Sequence, residues 1–144
     1  MELAVDYYIE GQGGKTMLRL VDSGFGPEAE WDDEFDSISR GWKYELRGLR
    51  HYLARHRATP RRVACALAKT SLPAKECYRR LMGPRGLVRG GSVEGLREGD
   101  GYRIVGATGD VFEGVVYTHD APSDFAGTIV GLNDGLVWFW TTPP

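Results

Sequence analysis

Seven large apolar side chains constrain this chain more than any other feature. Trp31, Phe35, Ile38, Trp42, Leu46, Leu49 and Leu53 recur at steps of three or four, which places them on one stripe of a helix about seven turns long. Glu28, Glu30, Asp32, Asp33, Glu34 and Asp36 crowd its start, while Arg47, Arg50, His51, Arg55, His56 and Arg57 crowd its end. That arrangement offsets the helix macrodipole, and Thr59-Pro60 stops the helix because the residue before a proline avoids the α region. Gly41 interrupts the pattern at a cost of about 1 kcal/mol relative to Ala, so a strand or ligand is expected to approach closely there. A stripe this long has to be covered, and the rest of the chain must supply the cover.

The cover reads as strands. Leu3, Val5, Tyr7 and Ile9 alternate with mostly polar neighbours, Gly11-Gln12-Gly13-Gly14 turns the chain, and Leu18 and Leu20 alternate again across residues 16–21. This is the signature of a hairpin. Pro27 suits the first turn of the long helix, where a missing N–H costs nothing. Beyond Pro60, Val63, Cys65 and Leu67 predict a short strand, and Ser71-Leu72-Pro73 opens a second helix of about ten residues ending at Met82-Gly83-Pro84. Residues 83–101 read as a Gly- and Arg-rich loop, mobile in part. Four strands come next, over 101–106, 110–118, 123–131 and 135–141, with turns at Ala107-Thr108-Gly109 and Asn133-Asp134-Gly135. In the last of them Leu136, Trp138 and Trp140 fall on one face and Val137 and Phe139 on the other, so it is expected to be central or covered.

Length and composition limit the architecture to one domain. With 144 residues, 42% of them hydrophobic and 26% charged, the chain can bury a core without disulfides or metals, and a second independent domain is not expected. No run of about 18 apolar residues is present to span a bilayer, and the Met-Glu-Leu-Ala start lacks the basic and apolar regions of a signal peptide, so a cytoplasmic location is expected. Cys65 and Cys77 lack partners at metal-ligand spacing and are expected to behave as small buried hydrophobes rather than as a disulfide. Fifteen of the eighteen Lys and Arg residues lie between Arg40 and Arg97, against only Glu45, Glu76 and Glu94. Such a block can meet nucleic acid or an acidic protein, although a solvated basic face is the commoner meaning.

Signals of catalysis are weak. Gly13-Gly14-Lys15-Thr16 imitates the end of a phosphate loop, but Ile9 stands where the first glycine belongs and the segment joins two strands rather than a strand to a helix. His51 and His56 are five apart, one more than the spacing that aligns two imidazoles on a helix, so no metal site is expected. His119-Asp120 reads as a strand end rather than an acid–base pair. The carboxylates over 28–36 mostly face water. No nucleophile with a neighbouring base is present, so no catalytic residue, cofactor or metal is assigned, and enzymatic activity is left open but not expected.

The expected element order is β-β-α-β-α-β-β-β-β in an α+β fold, a curved antiparallel sheet of about seven strands over the long helix. These are the parts of a helix-grip domain in cyclically shifted order, with residues 60–144 supplying its first five strands and short helix and residues 1–57 its last two strands and long helix. The run Thr16-Met17-Leu18-Arg19-Leu20-Val21-Asp22-Ser23-Gly24-Phe25, the acidic helix start, Ser39-Arg40-Gly41-Trp42 and Leu49-Arg50-His51-Tyr52-Leu53 resemble the C-terminal part of the SRPBCC (START-like) proteins grouped with heat-shock-protein-90 ATPase activator homologues. The resemblance covers residues 3–57; the remainder, from Val63 to Trp140, is more weakly similar to the segment after that helix in longer members. It departs from the family pattern in lacking the opening strand and helices before Glu2 and a terminal helix after Pro144. A fragment, a natural permutation and half of a swapped assembly all fit, and the sheet is expected to close by pairing residues 136–141 with 3–9 within one chain or by exchange in a homodimer.

The resemblance implies binding of a hydrophobic small molecule between sheet and helix, and in some relatives lipid transfer, polyketide cyclisation or co-chaperone action. For this chain Phe35, Ile38, Trp42 and Leu46 would line one wall and Tyr7, Phe112, Trp138 and Trp140 the other. The alternatives are a co-chaperone-like or nucleic-acid-interacting protein that uses the basic middle on an acidic or chaperone partner, and, more weakly, a cyclase-like enzyme needing His119, Asp120 or Tyr7 in the cavity. Apolar residues at helical spacing pack cores in most proteins, which is the simpler meaning of every wall residue named.

Overall fold

The computed structural model describes residues 3–141, without the side chain of Glu30. The fold is α+β, with two α-helices and antiparallel strands in a two-stranded and a five-stranded sheet among the described residues. The chain divides into two compact units, Met1–Gly41 and Trp42–Pro144, and the division falls inside the long helix rather than after it.

The first unit holds β1 (Ala4–Gln12) and β2 (Lys15–Ser23), then a 3-10 turn (Ala29–Trp31) and the opening of helix α1 (Asp32–Arg55). Gln12 pairs with Lys15, leaving Gly13 and Gly14 as a two-residue turn with φ of 58° and 76°. Positive φ at both positions is what a tight hairpin requires and what glycine supplies without strain. Val5, Tyr7 and Ile9 share one face of this hairpin with their partners Asp22, Leu20 and Leu18. Pro27 lies ahead of the helix rather than in its first turn, since Glu28 caps the 3-10 turn. Phe25 bridges to the helix start edge-on, 5.2 Å from the Phe35 ring and 6.1 Å from that of Trp31. Asp32, Asp33 and Glu34 occupy the first turn of α1 as the dipole favours.

The second unit contains the rest of α1, helix α2 (Ala74–Leu81), and strands β3 (Val88–Gly90), β4 (Gly101–Gly106), β5 (Val111–Asp120), β6 (Asp124–Ile129) and β7 (Gly135–Trp140). The five strands form an antiparallel meander in chain order. Its core covers one sheet face: Tyr78 of α2, Val88, Val93, Tyr102, Ile104, Val116 and Phe125 are buried, with Met82, Leu96, Phe112 and Phe139 packed around them. Phe125 and Ile104 are essentially inaccessible. Tyr102 covers the bare backbone of Gly127 and donates its hydroxyl to the Thr128 carbonyl at 2.8 Å.

Three expectations are corrected. No strand forms over 63–67: this stretch has no regular secondary structure, with Val63 68% and Leu67 82% exposed and Cys65 exposed as well. Alternation makes a strand possible, and hydrogen bonds to a neighbour make it real. The missing strand appears instead as β3, three residues inside the stretch read as loop, so the order is β-β-α-α-β-β-β-β-β. The strands do not form one sheet either: among the described residues β1 has only β2 as neighbour and β7 only β6. The four later strands and both of their turns lie within two residues of the expected positions.

Candidate functional site

Within the second unit, α1 meets the five-stranded sheet on the face opposite the core. Tyr44 stacks on Trp138, with centroids 4.1 Å apart and planes 17° from parallel, and Trp138 in turn stacks on Trp140 at 4.6 Å. One turn on, Arg47 donates to the Tyr117 carbonyl at 3.0 Å while the Tyr117 hydroxyl donates back to the Arg47 carbonyl. Arg47 also pairs with Glu98 at 2.7 Å. Leu136 lies 3.8 Å from the position a Cβ would take at Gly48. His51 sits edge-on to Tyr117, and its Nε2 lies 2.6 Å from the Asp134 carbonyl.

Tyr44, Arg47, Gly48, His51 and Arg55 are spaced as one helical face. At 100° per residue, Trp42, Leu46, Leu49 and Leu53 lie on the opposite side. The apolar stripe is therefore turned away from the five-stranded sheet, and a mostly polar face with one tyrosine and one glycine is turned toward it. Among the described residues α1 has no buried side chain: Trp42 and Leu46 are half-buried, Leu49 is 44% exposed and Leu53 54%.

This arrangement separates the expected wall residues. Trp138 and Trp140 are brought together, stacked, on the sheet face that carries Tyr44. Phe112 is on the other face, edge-on to Phe139 in the core. Trp42 and Leu46 point away from Trp138. Tyr7, Phe35 and Ile38 belong to the first unit, where Tyr7 and Phe35 are each 55% exposed and Ile38 is half-buried. An added Cβ at Gly41 would meet nothing within 4 Å, so the close approach expected there is not formed.

Electrostatics track burial. The Tyr44 phenol is held above its ordinary pKa by burial first and by the Glu45 charge second. Burial raises that of Tyr117 too, with Arg47 and Arg50 opposing. The indole N–H of Trp138 is buried with no hydrogen-bond partner among the described residues.

Residues tested for catalysis occupy structural places. Residues 13–16 form the hairpin turn and the start of β2. His119 points into the core side, its Nδ1 2.8 Å from the Leu96 carbonyl and its ring edge-on to Phe125. His51 and His56 do converge, with centroids 5.3 Å apart, because His56 has left the helix; both Nε2 atoms reach the Asp134 carbonyl, at 2.6 and 3.3 Å. Among the described residues no three or more His, Cys, Asp and Glu side chains are grouped to hold a metal ion, and no described helix is long and apolar enough to cross a membrane. Tyr44, Tyr117 and Asp134 were not singled out in the sequence, although the spacing of Tyr44 with Gly48 and His51 marks a second helical face. Comparison with family models, with curated proteins and with solved structures finds no match.

Proposed function

We propose that the chain is a START-like, helix-grip type of ligand-binding or carrier domain, and that it holds a hydrophobic small molecule against the apolar stripe of α1. The observation that carries this reading is the stripe itself. Trp42, Leu46, Leu49 and Leu53 form a continuous apolar row that the five-stranded sheet does not cover, with Leu49 and Leu53 about half exposed. Contiguous apolar surface of this kind marks a place where something apolar binds. Trp42, the first residue of this row, supplies a large ring for contact with a ligand.

The test is direct. Titrating the protein with 1-anilinonaphthalene-8-sulfonate should quench tryptophan emission saturably, and Trp42→Phe should remove most of that quenching. Native mass spectrometry of the purified chain should show a small co-purified molecule. Unchanged emission together with a bare 16.0 kDa mass would refute the reading.

A second reading is favoured by one observation. Residues 57–71 are exposed throughout and carry Arg57, Arg61, Arg62 and Lys69, a surface suited to an acidic protein or nucleic acid. Only Arg61 among these has an ion pair described, with Glu45 at 3.7 Å. That reading requires salt-sensitive binding to DNA or to an acidic peptide.

A further inference from the structure

Two strand edges in this chain are less protected than its other two. Proteins guard edge strands by keeping them short, by placing charged residues, Lys above all, or Pro on them, or by bulges. The β3 edge of the five-stranded sheet is guarded: it is three residues long, carries Arg89, and its pairing with β4 is irregular between Val88 and Gly90. The β2 edge of the hairpin is guarded by Lys15 and Arg19. In contrast, β7 reads Gly-Leu-Val-Trp-Phe-Trp, six residues without a charge, a proline or a break in register, and among the described residues has β6 on one side only. β1 carries Asp6 and Glu10 but no Lys, Arg or Pro, runs nine residues in unbroken register and, among the described residues, has β2 on one side only.

The hairpin also calls for a neighbour on other grounds. A two-stranded ribbon is marginal in water without further strands or a packed face. Here Val5 is 40%, Tyr7 55% and Ile9 72% exposed along one face. Charge specifies what kind of neighbour. Met1–Gly41 carries ten carboxylates against three cations, whereas Trp42–Pro144 carries fifteen cations against ten carboxylates. The first unit is thus complementary in charge to the second unit of another copy.

We propose that a second copy of this chain is the neighbour: β1 of each copy pairs with the β7 edge of the other in a reciprocal twofold dimer. Each five-stranded sheet gains the partner's hairpin and becomes seven-stranded. The interface is isologous, so both open edges are satisfied at once and growth stops at two copies. Tyr7 of the partner comes beside the strand that bears Trp138 and Trp140, so the partner contributes to the aromatic surface. That last point rests on the ligand-binding reading; the pairing itself does not.

The experiment is native mass spectrometry and light scattering of the full chain, followed by isotope-filtered NOE spectroscopy on a mixed sample of labelled and unlabelled protein. A mass twice 16.0 kDa, with cross-chain NOEs between β1 and β7 amides, is expected. Raising salt should weaken the dimer, because screening removes the charge complementarity. Ile9→Lys, at the most exposed position of the face, should raise the dimer Kd about tenfold with an unchanged far-UV circular dichroism spectrum. A monomer at about 100 µM, a thousandfold above a typical specific Kd, overturns the proposal. So does a dimer without those NOEs. Saturable quenching by 1-anilinonaphthalene-8-sulfonate in a protein that stays monomeric would sink the exchange and leave the ligand-binding reading intact.

Discussion

Tyr44 lies flat on Trp138, and that single contact fixes how the second half of α1 is rotated about its own axis. Turning the helix by half a turn would place Trp42 and Leu46 on the sheet instead, yet the stacked pair, Gly48 and the Arg47–Tyr117 exchange all lie on the Tyr44 side. Aromatic pairs of this geometry are coupled by about 0.5–1.5 kcal/mol beyond their area. A double-mutant cycle of Tyr44→Leu and Trp138→Leu, read by urea denaturation, should return a coupling in that range. A coupling indistinguishable from zero would mean the helix rests on some other face.

A second point of attachment is the Asp134 carbonyl, which serves two imidazoles. A carbonyl only accepts, so His51 and His56 must each present an Nε2–H to bond it. Loss of the shorter bond in His51→Ala should cost about 1 kcal/mol, and loss of the longer one in His56→Ala less. Because either histidine can serve the oxygen alone, the double variant should lose more than the two single losses added together. Strict additivity in thermal denaturation would show that the two rings act on separate partners.

Much of this architecture was legible in the residues, and the parts that were not share a cause. The apolar stripe of α1 and the hairpin with its glycine turn are local patterns, fixed by periods of 3.6 and 2 and by positive φ at Gly13 and Gly14. Which side of α1 meets the sheet is not local. The stripe from Trp31 to Leu53 is the obvious face to bury, and the decision went to the face bearing Tyr44, Gly48 and His51 because β7 and β5 offer Trp138, Leu136 and Tyr117 there. Residues 63–67 alternate as well as β1 does but have no strand beside them. Val88–Gly90 alternate too briefly to register, and pair with β4 nonetheless. The faces of Phe112 and Trp138 depend on register carried through three strands, with a shift between Val116 and Thr118 on the way, and a shift of one residue exchanges the faces.

Two glycines should respond to alanine with opposite signs. Gly41 sits inside α1 with nothing within 4 Å of an added Cβ, so Gly41→Ala should stabilise by about 1 kcal/mol through helix propensity and a less mobile unfolded chain. At Gly114 of β5 the added methyl would collide with the Thr128 carbonyl oxygen of β6 and crowd its hydroxyl, which accepts from the Val115 N–H at 3.0 Å. Backbone cannot step aside as a flexible side chain can, so Gly114→Ala should cost about 2–3 kcal/mol. Melting temperatures of the two variants, compared with the parent, check both signs at once.

Alkaline pH should weaken the fold through its buried tyrosines. Burial pushes the Tyr102 phenol up to about 12, and burial followed by the Asp124 charge pushes that of Tyr78 up as well. In the unfolded chain both titrate near about 10. Between these values the folded protein keeps protons that the unfolded chain has released, so the unfolded state binds fewer protons and stability falls as pH rises. The contribution is fully present below about pH 10 and is lost as pH climbs through the folded value. Urea midpoints measured at about pH 8, 9.5 and 11 should therefore hold level and then drop. The two tyrosines can be told apart by their hydroxyls. Tyr102 donates to the Thr128 carbonyl, so Tyr102→Phe should flatten the alkaline fall and also lose about 1 kcal/mol at neutral pH. The Tyr78 hydroxyl is buried without a hydrogen-bond partner; Tyr78→Phe should flatten the fall while leaving neutral-pH stability level or higher, because an unpaired buried hydroxyl costs more than it returns. A loss at neutral pH in Tyr78→Phe as large as that in Tyr102→Phe would require a partner for that oxygen.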